Sequence, residues 1–571
     1  MRLIGIVVEK LDNSAVAREN GKVEDITDTR GLIEPPLNVP GHLTGPKVVG
    51  DYEAQLLLKR TPVSYLLNQA YGLWLFISLF LITVIVTHKL SVEEYGVYAV
   101  AFAALNTIAY IVAFGLEDAT TTFVPRVFSE HGRAAAALLI QRLLVLRLAT
   151  LILSVGIMLF AMPALATLFA AIPLKGSADI AAGLRDPGLL SHITPIAVYV
   201  LGNGISSLIT AVCASLMRMR FVFVVGGVTQ LLLLVFSFVV LQLGWGTNGV
   251  LWLFAISSLL NAAAFVFWLL PLLFARGATY KQPLKPVLQL GISAWLTNLV
   301  SGALLKQVSI ILLGYFLISI VQIGYFNLSF QLAHAASLLL VSGFGGVAGA
   351  ALAAAFVGRN YDRLARSWQA LIKIETLLAA PVLVFCLFNA QNVAHALFGS
   401  NYDPVGPLLA IFLFFHILVR ILGTTMHQYT LYVIGKPNWV VLSQWIGLGA
   451  VVVIGIMLIP MWGPSGALVA DGLAQIITGG LMLAILWRIL PRKYPLGFTL
   501  KLLLGLTIAA LPGIVWHPAS RILLGISGAI FLVLCVGLLL LIKPLNEEDL
   551  ELVGSLNARL VPLLRWFARE R

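Results

Sequence analysis

Long apolar runs limit most strongly what this chain can fold into. From about residue 65 to residue 542, runs of about 20 apolar residues alternate with short polar connectors. A helix satisfies its own backbone polar groups, so each run can cross a hydrocarbon core of roughly 30 Å. The 571 residues are 60% hydrophobic and 11% charged, which excludes a soluble globular protein. These features predict an all-α polytopic membrane protein with about 14 transmembrane helices.

The fourteen predicted spans can be placed from the apolar runs alone. The seventh is unusually long, and we expect it to bend or split near Gly302. The spans are 65–87, 95–114, 143–168, 193–216, 221–243, 250–274, 287–316, 324–342, 370–388, 405–425, 439–459, 465–486, 496–515 and 522–542.

Basic residues are concentrated in the connectors that follow even-numbered spans. Connectors after odd-numbered spans contain only Lys89, Lys175, Arg185 and Arg521. Because basic residues are retained in the cytoplasm, this asymmetry places both termini there. The net charge of +12 therefore reflects topology, and the scattered cations form no surface for nucleic acid. The basic residues after even-numbered spans are Arg126, Arg133, Arg218, Arg220, Arg276, Lys281, Lys285, Arg359, Arg363, Arg366, Lys436, Arg488, Arg492 and Lys493.

A nine-residue stretch occurs twice. Residues 90–98 and 318–326 each follow one apolar run and precede another. One fixed offset superposes Ser91 on Ser319 and Gly96 on Gly324, and also Gly115 on Gly343 and Phe128 on Phe356. Six spans separate the copies, so the pattern predicts two six-helix lobes in parallel repeat, with two extra C-terminal helices.

Composition and spans together divide the chain into five segments. The first is rich in turn residues and is expected to be disordered, and the last has the spacing of a basic amphipathic helix. The segments are a cytoplasmic extension (1–62), an N-lobe with spans one to six (63–275), a C-lobe with spans seven to twelve (286–490), spans thirteen and fourteen (495–543) and a cytoplasmic amphipathic tail (544–571).

Several of these stretches resemble a known family. The turn at 90–98 and the sequence at 114–117 are similar to the opening of bacterial polysaccharide flippases, the O-antigen and exopolysaccharide repeat-unit translocases of the multidrug/oligosaccharidyl-lipid/polysaccharide exporter superfamily. Residues 311–325, 435–438 and 462–467 resemble later parts of that family. The resemblance covers residues 65 to 545 and not the amino-terminal extension.

The resemblance implies a function in the bacterial inner membrane. It implies translocation of undecaprenyl-pyrophosphate-linked oligosaccharide to the periplasmic leaflet, by alternating access of two lobes around a cationic cavity. The partners implied are this lipid-linked substrate, membrane lipids and the polysaccharide polymerase or export machinery.

A sugar pyrophosphate requires cations and hydrogen-bonding groups within the membrane. The candidate substrate-binding residues are Lys306, Arg147, Arg420 and Asn298. The alternatives are snorkelling to an interface for Lys306 and Arg420, anchoring for Arg147, and interhelical bonding for Asn298. Asn327 is a further amide that could bind sugar hydroxyls or bond between helices.

Acidic residues near the spans are candidates for coupling transport to an ion. These are Asp471, Glu375 and Asp118, which could bind Na⁺ or H⁺. For Asp471 an ion pair or interhelical hydrogen bond is an equal alternative, and for Asp118 a helix terminus at the interface. No phosphate-binding Gly-x-x-x-x-Gly-Lys loop occurs, so energy would come from an ion or substrate gradient. The histidines lack metal-ligand spacing, and neither a metal nor a cofactor is predicted.

Other functions remain open at this point. A cation-coupled multidrug or metabolite exporter and a lipid II flippase share the expected architecture, although the basic intramembrane charges fit a cationic drug less well. A membrane glycosyltransferase or polymerase would need catalytic groups in large outer loops. The longest outer loop contains only Asp179 and Asp186 as acids, so we expect no enzymatic activity.

Overall fold

The structure is a computed structural model. It describes a set of residues that includes almost all of the predicted spans. These are residues 46–161, 167, 187–273, 280–299, 305–316, 318–338, 341, 348–349, 351–352, 355–356, 359–492, 494–516, 520–547, 550 and 565–568.

Within these residues the chain forms seventeen α-helices and no strand. They are α1 (Pro46–Lys89), α2 (Val92–Ala113), α3 (Leu116–Gly156), α4 (Pro187–Ser215), α5 (Met219–Gln242), α6 (Gly246–Leu273), α7 (Leu284–Asn298), α8 (Leu305–Tyr315), α9 (Ile320–Leu338), α10 (Tyr361–Phe388), α11 (Ala390–Phe398), α12 (Val405–Leu422), α13 (Thr424–Val433), α14 (Pro437–Trp462), α15 (Pro464–Ile489), α16 (Leu496–Trp516) and α17 (Arg521–Ile542).

Twelve stretches of the described helices are long and apolar enough to cross a membrane. They correspond to predicted spans one to six and nine to fourteen. The seventh predicted span is represented by α7 and α8, which are 15 and 11 residues long and too short individually. The eighth is α9, whose amide side chains make it less apolar. The predicted all-α polytopic fold is confirmed.

The expected break in the seventh span, near Gly302, lies outside the described residues. On either side of it, α7 ends at Asn298 and α8 begins at Leu305. The tenth predicted span is divided, because Gly423 adopts φ 72° and separates α12 from α13.

The duplicated stretch forms a helix start in both copies. Ser91 Oγ accepts from Glu94 N, and the Glu94 side chain accepts from Ser91 N, both at 3.2 Å, which is a capping box at the start of α2. In the second copy Ser319 Oγ accepts from Gln322 N at 3.4 Å at the start of α9. The repeated serine therefore reflects a repeated N-cap.

The two duplicated helices lie side by side. A Cβ placed on Gly96 of α2 would lie 2.4 Å from the Ile320 carbonyl oxygen of α9, and one on Gly324 would lie 3.2 Å from Gly96 Cα. Further along, α2 and α9 line one cavity in the same order. The two helices therefore run in the same direction, as a parallel repeat requires, and only glycine permits their close approach.

The remaining helices pack around this pair. The largest buried cluster joins α1, α2 and α9 to α10 and α12, with Ile82, Tyr98, Phe326, Leu383 and Phe412 among its members. The C-terminal helices α16 and α17 lie outside, against α10, where the rings of Phe385 and Phe531 are 5.4 Å apart.

The two terminal segments are described only in part. Helix α1 begins at Pro46, so it crosses the expected boundary of the extension at residue 62, and residues 1–45 lie outside the described residues. In the tail, Leu545 N donates to Phe567 O at 3.1 Å. Most of the tail also lies outside the described residues.

Candidate functional site

One end of the contact between the lobes, which we call the Gly96 end, contains the Gly96–Gly324 approach. The Tyr95 ring packs edge-on against the Tyr402 ring at 5.8 Å, and its hydroxyl is 3.4 Å from Asn327 Nδ2. Tyr95 and Tyr402 are 0% and 2% exposed. Backbone contact and buried aromatic rings therefore close this end. The topology predicted from the basic residues makes it the periplasmic end.

A cavity of about 120 Å³ lies between the lobes. Four of its lining residues carry carboxamides, and none of the described lining residues is charged. The Gln307 Oε1 atom is buried without a hydrogen-bond partner among the described residues. Carboxamides both donate and accept, so this lining suits neutral hydroxyl-rich groups. The lining residues are Phe102, Ala103, Asn106, Gln307, Ile310, Asn327, Phe330 and Gln331.

The opposite end of the contact, which we call the Gly115 end, joins the end of α2 to α7. Trp295 Nε1 of α7 lies within hydrogen-bond distance of two carbonyl oxygens in the last turn of α2, at 3.2 and 3.0 Å. The centroids of the Trp295 and Phe114 rings are 5.3 Å apart. Gly115 has φ 63°, and a Cβ there would lie 1.9 Å from the Gly291 carbonyl oxygen. Close contacts therefore lie on both sides of the cavity along α2.

The structure brings together two of the candidate residues at this end. Asn298 Nδ2 of α7 donates to Asp118 Oδ2 of α3 at 2.8 Å. Burial and the neighbouring Glu117 raise the pKa of the Asp118 carboxyl above its ordinary value, and the bond from Asn298 offsets part of this. A candidate substrate ligand and a candidate coupling acid therefore form one contact between α7 and α3.

Arg147 is enclosed within the first lobe and is 2% exposed. Its guanidinium makes five hydrogen bonds, as many as it has N–H donors. This arrangement holds α2, α3 and α4 together. The acceptors are the carbonyl oxygens of Val112, Ala113 and Gly204, the Ser207 hydroxyl at 3.0 Å and the Glu117 carboxylate.

Arg420 and Glu375 form a similar group in the second lobe. Arg420 Nη1 donates to Glu375 Oε1, and its Nε donates to Ser337 Oγ at 3.0 Å. Their side chains are 15% and 3% exposed. The pair joins α12, α10 and the last turn of α9, so two separately selected candidates are ion-pair partners.

Asp471 and Lys306 lie apart from these groups. Asp471 of α15 is 3% exposed and accepts from Gln475 Nε2 at 2.7 Å, and no ion pair joins it to another described side chain. Lys306 is the second residue of α8 and directly precedes the cavity-lining Gln307. The Lys306 side chain lies outside the described residues.

Three residues at the interface were not selected from the sequence. Asn106 and Gln307 line the cavity, and Trp295 closes the Gly115 end. The two amides carry the same signal that selected Asn327, a carboxamide inside an apolar run. Trp295 carries no such signal, because tryptophans near span ends are common membrane anchors.

The described residues contain no cluster of three histidine, cysteine, aspartate or glutamate side chains that could hold a metal ion. The fold and the cavity between the duplicated helices define a two-lobed polytopic membrane protein.

Comparison with known families identifies this protein more closely. Residues 85–407, more than half of the chain, match the model of a family described as polysaccharide biosynthesis protein, and the chain belongs to that family. No curated protein matches the chain.

Solved transporter structures share the fold. An inward-facing multidrug resistance MATE family transporter of the MOP superfamily has a TM-score of 0.60 at 15% identity, covering 73% of this chain and 94% of its own. The lipid II flippase MurJ, inward closed, has a TM-score of 0.56 at 14% identity, covering 85% and 97%. A MOP superfamily transporter from Pyrococcus furiosus has a TM-score of 0.53 at 17% identity, covering 81% and 98%. The chain therefore has the fold of a MOP superfamily transporter.

Proposed function

We propose that the chain is a flippase for undecaprenyl-pyrophosphate-linked oligosaccharide repeat units in the bacterial inner membrane. The lobes would expose the cavity first to the cytoplasm and then to the periplasm, with both termini cytoplasmic. Membership of a polysaccharide biosynthesis family and the fold shared with the lipid II flippase MurJ support a lipid-linked substrate. The protein would translocate its substrate without making or breaking covalent bonds, and it would act together with the polymerase or export machinery.

The carboxamide side chains that line the cavity are the observation that most directly supports this proposal. Sugar hydroxyls donate and accept, and an amide offers both partners. A cation-coupled drug exporter would need carboxylates facing its substrate, and the described lining contains none. The cavity of about 120 Å³ is small beside an oligosaccharide, so a glycan could enter only when the lobes part.

The pyrophosphate needs a cation, and we assign this contact to Lys306. Its position in the sequence directly before the cavity-lining Gln307 supports this assignment. Arg420 is the second candidate, because its side chain is 15% exposed and one of its three described bonds is a long 3.5 Å. All five donors of Arg147 are occupied, so we assign it to holding helix ends together.

We assign coupling to Asp471. A buried carboxylate without a cationic partner is costly in a membrane, so it would bind H⁺ or Na⁺ when buried. Glu375 is already neutralised by Arg420, and Asp118 is hydrogen-bonded to Asn298 of α7.

The test compares two buried amides. Gln307→Leu should cause lipid-linked oligosaccharide to accumulate on the inner leaflet, because it removes a cavity carboxamide. Gln444→Leu is the matched control: Gln444 lies in α14, and its Oε1 is likewise buried without a described partner. Normal export in both Gln307→Leu and Asn327→Leu would overturn the proposal. If lipid II accumulated instead, the transported substrate would be lipid II and not an oligosaccharide repeat unit.

A further inference from the structure

Two amides at the cavity, one from each lobe, present their oxygen atoms. Asn106 Nδ2 of α2 donates to the Phe102 carbonyl oxygen at 2.8 Å, one turn earlier on the same helix. A backbone carbonyl only accepts, so the Asn106 amide cannot be reversed at this bond, and its oxygen is the atom left for the cavity. On α8 of the second lobe, Gln307 Oε1 is buried without a partner among the described residues. Each lobe therefore supplies the cavity with one amide oxygen that can accept from a ligand.

The other two amides of the cavity can adapt to what they meet. Asn327 Nδ2 lies 3.4 Å from the Tyr95 hydroxyl. Gln331 Oε1 lies 2.9 Å from the Thr83 hydroxyl, whose single proton is also within 3.0 Å bonding distance of the Leu79 carbonyl oxygen. A hydroxyl both donates and accepts, so either amide can turn over and keep its bond. These two side chains can therefore offer a ligand an N–H or an oxygen.

This arrangement of acceptors distinguishes between kinds of sugar. A sugar hydroxyl or an acetamido N–H can donate to the oxygens of Asn106 and Gln307, and the two adaptable amides can bond its remaining groups. A carboxylate only accepts, so it would leave both oxygens unpaired and would be repelled by them. The described lining contains no cation to offset that charge. An acidic sugar is therefore disfavoured in this cavity.

We propose that the cavity selects an uncharged sugar residue through the amide oxygens of Asn106 and Gln307, and that it discriminates against a sugar that carries a carboxylate. This inference rests on the proposed function, because it specifies which sugars of a lipid-linked glycan the cavity accepts. The two residues determine specificity for the sugar, and the contact assigned to Lys306 holds the pyrophosphate.

The test compares two undecaprenyl-pyrophosphate monosaccharides that differ only at carbon six of the sugar. One carries glucose and the other glucuronic acid, so the lipid and the pyrophosphate are the same in both. Purified protein in detergent is incubated with an equal mixture, and native mass spectrometry gives the ratio of the two bound forms. We expect the glucose form to be favoured at least roughly tenfold. Misfolded protein binds neither lipid, so it does not alter this ratio.

Three variants show whether the two oxygens cause the preference. Gln307→Met keeps the length of the side chain and removes its oxygen, so the ratio should fall by roughly three- to tenfold. Asn106→Leu removes the oxygen of the first lobe and should lower the ratio likewise, which keeps the test decisive if Gln307→Met fails to insert. Gln444→Met is the matched control and should keep the parent ratio. Gln444 Oε1 of α14 is also buried without a described partner, but Gln444 is not among the described lining residues.

A hard cation is the other kind of ligand that amide oxygens accept. The thermal midpoint of the protein is therefore measured in sodium chloride and in choline chloride without any lipid. Equal midpoints would support the sugar as the ligand of these oxygens. A midpoint that rises in sodium chloride, and no longer rises in Gln307→Met, would assign the oxygens to Na⁺ and overturn the selection.

Two further results would overturn the selection. One is a ratio near one in the parent with both lipids bound, which would leave the proposed function standing. The other is an unchanged ratio in both Gln307→Met and Asn106→Leu. Binding of neither lipid would overturn the proposed function together with the selection.

Discussion

Arg147 and Glu375 occupy equivalent positions in the two lobes and carry opposite charges. The offset that superposes Ser91 on Ser319 also superposes Arg147 on Glu375. Each is half of a buried ion pair, with Glu117 and Arg420 respectively. Each pair also reaches the last turn of the duplicated helix, through Val112 and Ala113 of α2 or Ser337 of α9. The equivalent position in each lobe therefore carries one member of a buried ion pair, with opposite charge and a partner at a non-equivalent position.

Removing Arg147 should destabilise the first lobe more than it affects transport specificity. Arg147→Ala leaves Glu117 and the end of α2 without their donors, at a cost of about 3–5 kcal/mol. We expect a large loss of folded protein in fluorescence-detected size-exclusion chromatography. Arg126→Ala, whose side chain is 67% exposed, should behave like the parent. A well-folded Arg147→Ala protein that has lost only substrate binding would instead place this arginine in the substrate site.

The close approach of α2 and α9 makes Gly96 sensitive to a single methyl group. Gly96→Ala puts a Cβ 2.4 Å from a backbone oxygen, which cannot rotate away as a side chain can. We expect a lower thermal midpoint and a disturbed Gly96 end. Gly449 of α14 has no atom within 4 Å of such a Cβ, so Gly449→Ala should be neutral or gain up to about 1 kcal/mol. Equal midpoints for the two variants would contradict the contact.

Asp118 should make stability depend on pH. Its folded-state pKa is raised, so the folded protein binds more protons than the unfolded chain between the ordinary and raised values, and stability falls as pH rises through that window. Asp118→Asn removes this penalty and can still accept from Asn298. Its thermal midpoint should exceed that of the parent at neutral pH, and the difference should shrink on acidification. A difference that is constant with pH would show that Asp118 titrates normally.

If Asp471 couples transport to an ion, its substitution should abolish gradient-driven transport but preserve downhill transport of the substrate. Asp471→Asn keeps the bond with Gln475 but cannot bind a proton or neutralise Na⁺. Reconstituted protein should lose its response to an imposed pH or Na⁺ gradient while retaining downhill movement of substrate. Asp362→Asn, an exposed change in the first turn of α10, is the control. A retained response to both gradients in Asp471→Asn would remove this residue from the coupling mechanism.

Local sequence patterns predicted most of the architecture. Apolar runs placed twelve of the described membrane-spanning helices, and the repeated serine and glycine identified two equivalent helices. The site was harder to predict. The sequence selects Arg147, Glu375 and Arg420 as unusual charges within the spans, but their partners lie 30 to 83 residues away in sequence, beyond the reach of helical periodicity.

The sequence by itself determined that this chain spans the membrane as a duplicated set of helices, because hydrophobicity and N-caps act over one or a few turns. Only the tertiary structure decided that Trp295 of α7 caps the end of α2 and that Asn298 donates to Asp118. Such contacts depend on how separate helices are oriented. The sequence around a hydrogen-bonding side chain does not indicate which distant carbonyl or carboxylate it will bond.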